Sequence, residues 1–258
     1  MRTLIKNIGL LAGIGDALRK EGAAMSQAGC LRDAWLLIED GKIADYGCLS
    51  EKPGGCPQRQ QKISGEAALC GQPSRLLDVI DASGGMVMPA FCDSHTHVVW
   101  AGSREQEFED KIRGLSYAEI AARGGGILNS ADRLHETSED ELFAQSMLRV
   151  HEMMAKGTGA IEIKSGYGLS TEDELKMLRV VRRIGESVPA VVKATFLGAH
   201  AVPRGMSKED YVRKVCSEMI PAVAAEKLAE FVDVFCEEGF FSPEDTARIL
   251  EAGAEYGL

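Results

Sequence analysis

The stretch DSHTHVVWAG, residues 93–102, carries two histidines separated by one threonine. A neutral imidazole offers one lone pair and is a common ligand for zinc, iron and copper. Alternate residues of an extended strand face the same side. His95 and His97 therefore converge on one spot if the strand runs that far. Two donors make an incomplete clamp, because a catalytic zinc takes three protein ligands and a water. His200, in FLGAHAVP, offers a third donor, and it suits a substrate contact equally well. Arg104 follows seven residues after His97. Its planar guanidinium fits bidentate capture of a carboxylate, or an ion pair within SREQEFEDK. Tyr167 sits between two glycines in KSGYGL, so a tight turn presents its hydroxyl. Lys164 leaves three readings: a metal-bridging carbamate, a catalytic amine, or an ion pair with Glu162 or another acid. The ion pair is the expectation. Cys92 reads as a small buried strand residue rather than a nucleophile. His135 reads as a solvated loop residue, and His151 as a helical residue that packs or faces water.

Each of these side chains needs an element to aim it. The chain shows two regimes. Residues 1–85 are irregular and strand-like, and AWLLIEDGKIADYG alternates on both sides of Asp40-Gly41, a dipeptide suited to a type I′ hairpin. They predict a small β-sandwich domain. Residues 86–258 change rhythm. The strands MVMPAF, GAIEI, AVVKATFLG and FVDVF alternate with amphipathic helices. The helices open at Ser138-x-x-Glu141, near Ser170-Thr171, at Ser207-x-x-Asp210 and at Ser242-Pro243. The second of them carries Leu175, Leu178 and Val181 on one face. The polar residues gather after successive strands: His95, His97 and Arg104, then Lys164, Ser165 and Tyr167, then His200, then Glu237 and Glu238. Function at the C-terminal ends of parallel strands is the habit of a (β/α)8 barrel. Such barrels run to about 250 residues, and four strand–helix units are visible here. The expectation is the first half of a barrel. RGGGIL lies far from a strand end and has the wrong spacing for a dinucleotide site.

Composition sets the outer limits. The 258 residues are 45% hydrophobic and 26% charged, with 29 Lys+Arg against 39 Asp+Glu for a net charge of −10. An acidic chain with no basic block is poorly suited to nucleic acid or an anionic membrane. No apolar run approaches the roughly 20 residues of a membrane helix. Seven cysteines without a C-x-x-C pair read as reduced thiols, and the N-terminus reads as a first strand rather than a signal peptide, so a cytoplasmic location is expected.

DSHTHVVWAGSREQEFEDKIRGLSYAEIAARGGGI, IEIKSGYGL, FLGAHAVP and DVFCEEGFF together resemble the imidazolonepropionases of the amidohydrolase superfamily. The resemblance runs in order over essentially the whole chain. H-T-H alone indicates only the superfamily; the Arg104–Gly126 stretch and KSGYGL are more specific. The resemblance implies a distorted (β/α)8 barrel beside a small β-sandwich built from both chain ends. It implies hydrolysis of the cyclic amide 4-imidazolone-5-propanoate to N-formimidoyl-L-glutamate, in L-histidine degradation, with one divalent metal, zinc or iron. His95 and His97 match the family's metal pair. Arg104 matches its carboxylate-binding arginine, Tyr117 a tyrosine lining its pocket, and Tyr167 and His200 its other substrate contacts. His200 is also the residue to stabilise an oxyanion or orient the ring. A fifth-strand histidine, an acid/base glutamate and an eighth-strand aspartate are expected beyond Leu258. FVDVFCEEG ends without a lysine, so a carbamate-bridged pair of metals is not implied. The implied partners are the small substrate and water, without nucleic acid or membrane, and a homodimer stays open. The rival readings are another cyclic amidohydrolase or deaminase of the superfamily, and a non-catalytic half-barrel.

Overall fold

A computed structural model of the chain describes residues 1–15, 19–48, 77–102, 105–116, 119 and 126–258. The chain divides into two units, Met1–Pro89 and Ala90–Leu258.

In the first unit, β1 (Arg2–Ile14), β2 (Gly29–Glu39), β3 (Lys42–Cys48), β4 (Leu77–Asp81) and β5 (Met86–Val87) form one mixed sheet in the order β3-β2-β1-β4, with β5 also on β1. β2 pairs antiparallel with both β1 and β3, whereas β4 and β5 run parallel to β1. The β2–β3 turn has Asp40 at φ 49° and Gly41 at φ 79°, the two left-handed residues that a type I′ hairpin requires. Ile8, Leu11, Leu31, Ala34 and Leu36 are its buried cluster.

The second unit holds a four-stranded sheet in the order β6-β7-β8-β9, all parallel: β6 (Phe91–Thr96), β7 (Thr158–Lys164), β8 (Val191–Ala199) and β9 (Phe231–Val234). The run MVMPAF, expected as one strand, is shared between the two sheets. Met86 and Val87 pair with Leu10 and Leu11 of β1, and the second sheet begins only at Phe91. Pro89 lies between them and has no N–H to give a ladder.

The helices are α1 (Glu105–Ile112), α2 (Ile127–Glu136), α3 (Glu139–Ala155), α4 (Thr171–Ser187), α5 (Lys208–Lys214), α6 (Ile220–Ala225) and α7 (Pro243–Glu255). The expected caps are present: Ser138, Ser170, Ser207 and Ser242 each accept from the backbone N–H three residues on. The reciprocal half of the box is formed at Ser242 and Asp245. Val215–Met219, between α5 and α6, is a π turn. It precedes Pro221, which cannot donate into a regular ladder. Two large apolar clusters and a small one of Ala131, Leu169 and Ala201 fill the unit. Leu142, Val150, Ile161, Ile163, Met177 and Ile184 belong to one large cluster, and Leu178, Phe196, Tyr211, Ile220 and Phe241 to the other.

His135 is not a loop residue. It lies on α2, whose buried positions are Ser130, Ala131 and Leu134; two of those three are small, so the sequence carries little apolar period there. His135 Nδ1 meets Asp173 Oδ2 at 2.8 Å. That hydrogen bond raises the histidine pKa. Burial pushes Asp173 upward, but hydrogen bonds from Lys176, His135 and Ser170 outweigh it and hold the carboxyl below its ordinary value. A histidine raised on folding stabilises fully below its unfolded pKa of about 6.5. That contribution fades as pH rises through the folded value. His135→Gln should therefore flatten the alkaline decline of Tm, read from thermal melts of both proteins between about pH 6 and 8. An unchanged slope would deny the pair any role.

Candidate active site

The C-terminal ends of β6, β7 and β8 bring four aromatic side chains together in the second unit. β6 ends at Thr96, so His95 is its penultimate residue and His97 follows its last. The rings of His95 and His97 lie 5.8 Å apart, edge to face at 66°, although the ladder to β7 is irregular between Asp93 and Thr96. His97 stacks on His200 at 5.0 Å and 9°. Tyr167 closes the group, 5.2 Å from His97 and 5.3 Å from His200. Phe235, just after β9, meets the edge of His200 at 5.7 Å. A cavity of about 160 Å³ opens here, lined by His97, Trp100, Ser130 and Tyr167.

Neighbouring bonds fix this geometry. Thr96, between the two histidines, donates its hydroxyl to the Glu162 carbonyl at 2.6 Å. Its N–H points to Glu162 Oε2 at 3.4 Å. Lys164 binds Glu162 at 2.8 Å and Asp233 at 2.9 Å, so the ion-pair reading of this lysine is the one the structure realises. β6, β7 and β9 are thereby joined beneath the histidines. After His97, Arg149 of α3 donates to the carbonyls of Val98 at 2.8 Å and Trp100 at 3.1 Å. Its guanidinium lies 3.4 Å above the Trp100 ring. Such a cation–π contact holds the chain where it leaves the sheet.

Burial, together with His200, His95 and Lys164 nearby, pushes the His97 pKa down to about 4, against a smaller upward pull from Asp233. His97 is therefore a neutral imidazole near pH 7. Its Nδ1 is buried and finds no hydrogen-bond partner among the described residues. A neutral ring with an unsatisfied buried nitrogen fits a metal ligand. His95 beside it supplies a second imidazole. No group of three or more His, Cys, Asp or Glu among the described residues is arranged to hold an ion.

Arg104 and Tyr117 lie outside the described residues. Glu237 and Glu238 are exposed and line a different cavity of about 590 Å³ with Lys208 and Phe241. It is the larger of the two, but no histidine lines it. Cys92 is exposed rather than buried. Among the described residues β6 is paired on one side only. His151 faces solvent on α3. Sequence reasoning did not single out Asp233 or Glu174. Each acid sits at an ordinary place, inside a strand or in a helix first turn, where its type alone signals nothing.

Residues 78–235 match the profile of the Amidohydrolase family. The chain belongs to the amidohydrolase family. It is 48% identical to the imidazolonepropionase of Flavobacterium johnsoniae and 47% identical to that of Christiangramia forsetii. Each alignment covers 100% of this chain and 59% of the relative, so this amidohydrolase chain spans under two thirds of their length. Among solved structures it is similar to E. coli guanine deaminase, with TM-score 0.57 and 13% identity over 99% of this chain and 51% of that one. It is also similar to a triazine hydrolase from Arthobacter aurescens, with TM-score 0.56 and 14% identity over the same shares. At such identities the likeness speaks for the amidohydrolase fold alone. Amidohydrolase-fold proteins are typically metal-dependent, in keeping with the unsatisfied imidazole of His97.

Proposed function

We propose that the protein is an imidazolonepropionase, hydrolysing 4-imidazolone-5-propanoate to N-formimidoyl-L-glutamate in the cytoplasm. The observation that carries the reading is the convergence of His95, His97, Tyr167 and His200 in a chain 48% identical to such an enzyme. In this reading β6 to β9 are the first four strands of a (β/α)8 barrel. The sheet of Met1–Pro89 is part of a small β-sandwich.

His95 and His97 would hold one divalent ion. Imidazole suits zinc and iron alike. A bound ion there supplies Lewis-acid polarisation and a nucleophile from water at neutral pH. The chain's own residues do the rest. His97 stays neutral, so its lone pair remains available. Nδ1 of His200 is engaged by the Gly166 carbonyl at 2.9 Å, which fixes the ring plane. That ring then stabilises the oxyanion or orients the imidazolone. Tyr167, and Tyr117 by its match to the family, line the pocket. Arg104 takes the propionate, spending remote binding energy on orientation. Two further metal donors and a proton-shuttling acid are required. We place them in the part of the relatives' length that this chain does not span.

Steady-state hydrolysis by the whole protein tests the reading. A charge-assisted contact is worth on the order of 1.5–3 kcal/mol, which is about 10- to 150-fold in kcat/KM. Arg104→Ala should lose that much. Arg104→Lys keeps the charge but not the fork, and should recover only part of it. A kcat/KM for Arg104→Ala within about twofold of native would reject the assignment.

Substrate and water are the partners this function needs, with no place for nucleic acid or membrane. No helix among the described residues is long and apolar enough to cross a membrane. For the 258-residue chain by itself, the sheet edges favour self-association. Among the described residues β6 and β9 are each paired on one side only, and Phe91 and Phe231, where they begin, are exposed. Open edges and apolar patches promote association. The 258-residue chain should sediment as an oligomer at micromolar concentration, and a monodisperse monomer would refute this.

A further inference from the structure

The turn after β7 encloses a carboxylate that the proposed reaction does not use. Glu174, in the first turn of α4, is 0% exposed. Its Oε1 accepts from the backbone N–H of Gly168 at 2.7 Å and of Leu169 at 3.0 Å. Its Oε2 accepts from Gly166 N–H at 3.0 Å, and the Ser165 hydroxyl bonds the same carboxylate. One side chain thus takes three of the four backbone N–H donors of residues 166–169.

That turn is of a kind that needs holding. Leu169 sits at φ 54° and Gly166 at φ 113°, both in the positive region that side chains disfavour. A Cβ on Gly168 would lie 2.4 Å from the Glu174 backbone nitrogen. Tyr167 stands in the middle of the turn, against His97 and His200. Gly166 has a second task, because its carbonyl meets Nδ1 of His200 at 2.9 Å. A carbonyl only accepts, so Nδ1 carries a proton here and Nε2 is the nitrogen left to face the substrate. Gly166 therefore joins Glu174, through its N–H, to His200, through its C=O.

We propose that Glu174 is a positioning residue: by gripping residues 166–169 it sets where Tyr167 stands and which nitrogen of His200 bears the proton. This rests on the reading of Tyr167 and His200 as substrate contacts. Glu174→Gln keeps the shape. Its amide NH2, however, faces an N–H donor in place of a carboxylate oxygen, so at least one backbone donor loses its acceptor.

Two measurements test it. The first is hydrogen exchange by mass spectrometry. In Glu174→Gln the peptide covering residues 165–169 should exchange about tenfold faster, with α7 unchanged. The second is a mutant cycle on kcat/KM in the whole, metal-loaded protein. Glu174→Gln should cost on the order of 10- to 100-fold alone. In a Tyr167→Phe/His200→Ala background it should cost less than about twofold, because the loss acts through those two rings. Equal losses in both backgrounds mark a general structural role and overturn the proposal, as does unchanged exchange. If Glu174→Gln does not fold, Gly166→Ala probes the same linkage from the other side. Its Cβ would come within 2.8 Å of His200 Nδ1, and the same non-additivity is expected. Absence of turnover in the native protein would remove the functional reading beneath, while the exchange measurement still decides whether Glu174 grips the turn.

Discussion

Replacing both His95 and His97 by alanine should remove the bound metal and lower kcat/KM by at least about a thousandfold. The size follows from the chemistry at stake. Lewis-acid stabilisation and activation of water are each worth several kcal/mol, and every 1.36 kcal/mol is tenfold in rate. The two rings face one spot 5.8 Å apart, so each single variant should already impair metal retention. Elemental analysis beside steady-state kinetics reads both effects. Full metal content in the double variant would mean that the histidines are not the ligands. Because they lie on the surface of the site rather than in the apolar clusters, the melting temperature of the metal-free variant should stay close to that of the metal-free parent.

Lys164→Met should be the most damaging single change to stability. The Lys164 side chain is 8% exposed and is held by Glu162, 13% exposed, and by Asp233, 40% exposed. Burial lowers the lysine pKa, but hydrogen bonds to Glu162 and Asp233 more than offset this and raise it above its ordinary value. Removing one partner of a buried ion pair leaves an uncompensated charge and costs about 3–5 kcal/mol. Here the more exposed Asp233 recovers water, which places the expected loss at the lower end. The denaturant midpoint, at unchanged m-value, measures it. A loss below about 1 kcal/mol would show that the network is solvated despite its burial. Glu162 also accepts from the N–H of Thr96, so the same variant should loosen the strand end that carries the histidines.

Much of this was legible in the chain. The H-x-H spacing pointed to two neighbouring rings, and the glycines around Tyr167 pointed to the turn on which it stands. The four serine caps were readable because a hydroxyl three residues before an acid satisfies an orphan N–H at low cost. The hairpin at Asp40-Gly41 was readable because few dipeptides tolerate two left-handed residues. What was missed has physical reasons. The division of MVMPAF between two sheets depends on which neighbour each half meets, which no local pattern encodes. α2 packs through small side chains, so its period is faint. Glu174 looked like any acid favourable to a helix N-terminus. The clue was indirect: a turn written SGYGL leaves several N–H groups in need of an acceptor. The pairing of Lys164 with Asp233 joins β7 to β9, a contact set by strand order rather than by sequence distance.

The most direct test of the central claim is the identity of the product. The whole protein, loaded with zinc or iron, is incubated with 4-imidazolone-5-propanoate, and the mixture is analysed by mass spectrometry and for ammonia. The account predicts N-formimidoyl-L-glutamate without release of ammonia, and loss of this turnover when the metal is chelated. Ammonia release would identify a deaminase, and no conversion by the metal-loaded protein would contradict the assignment outright.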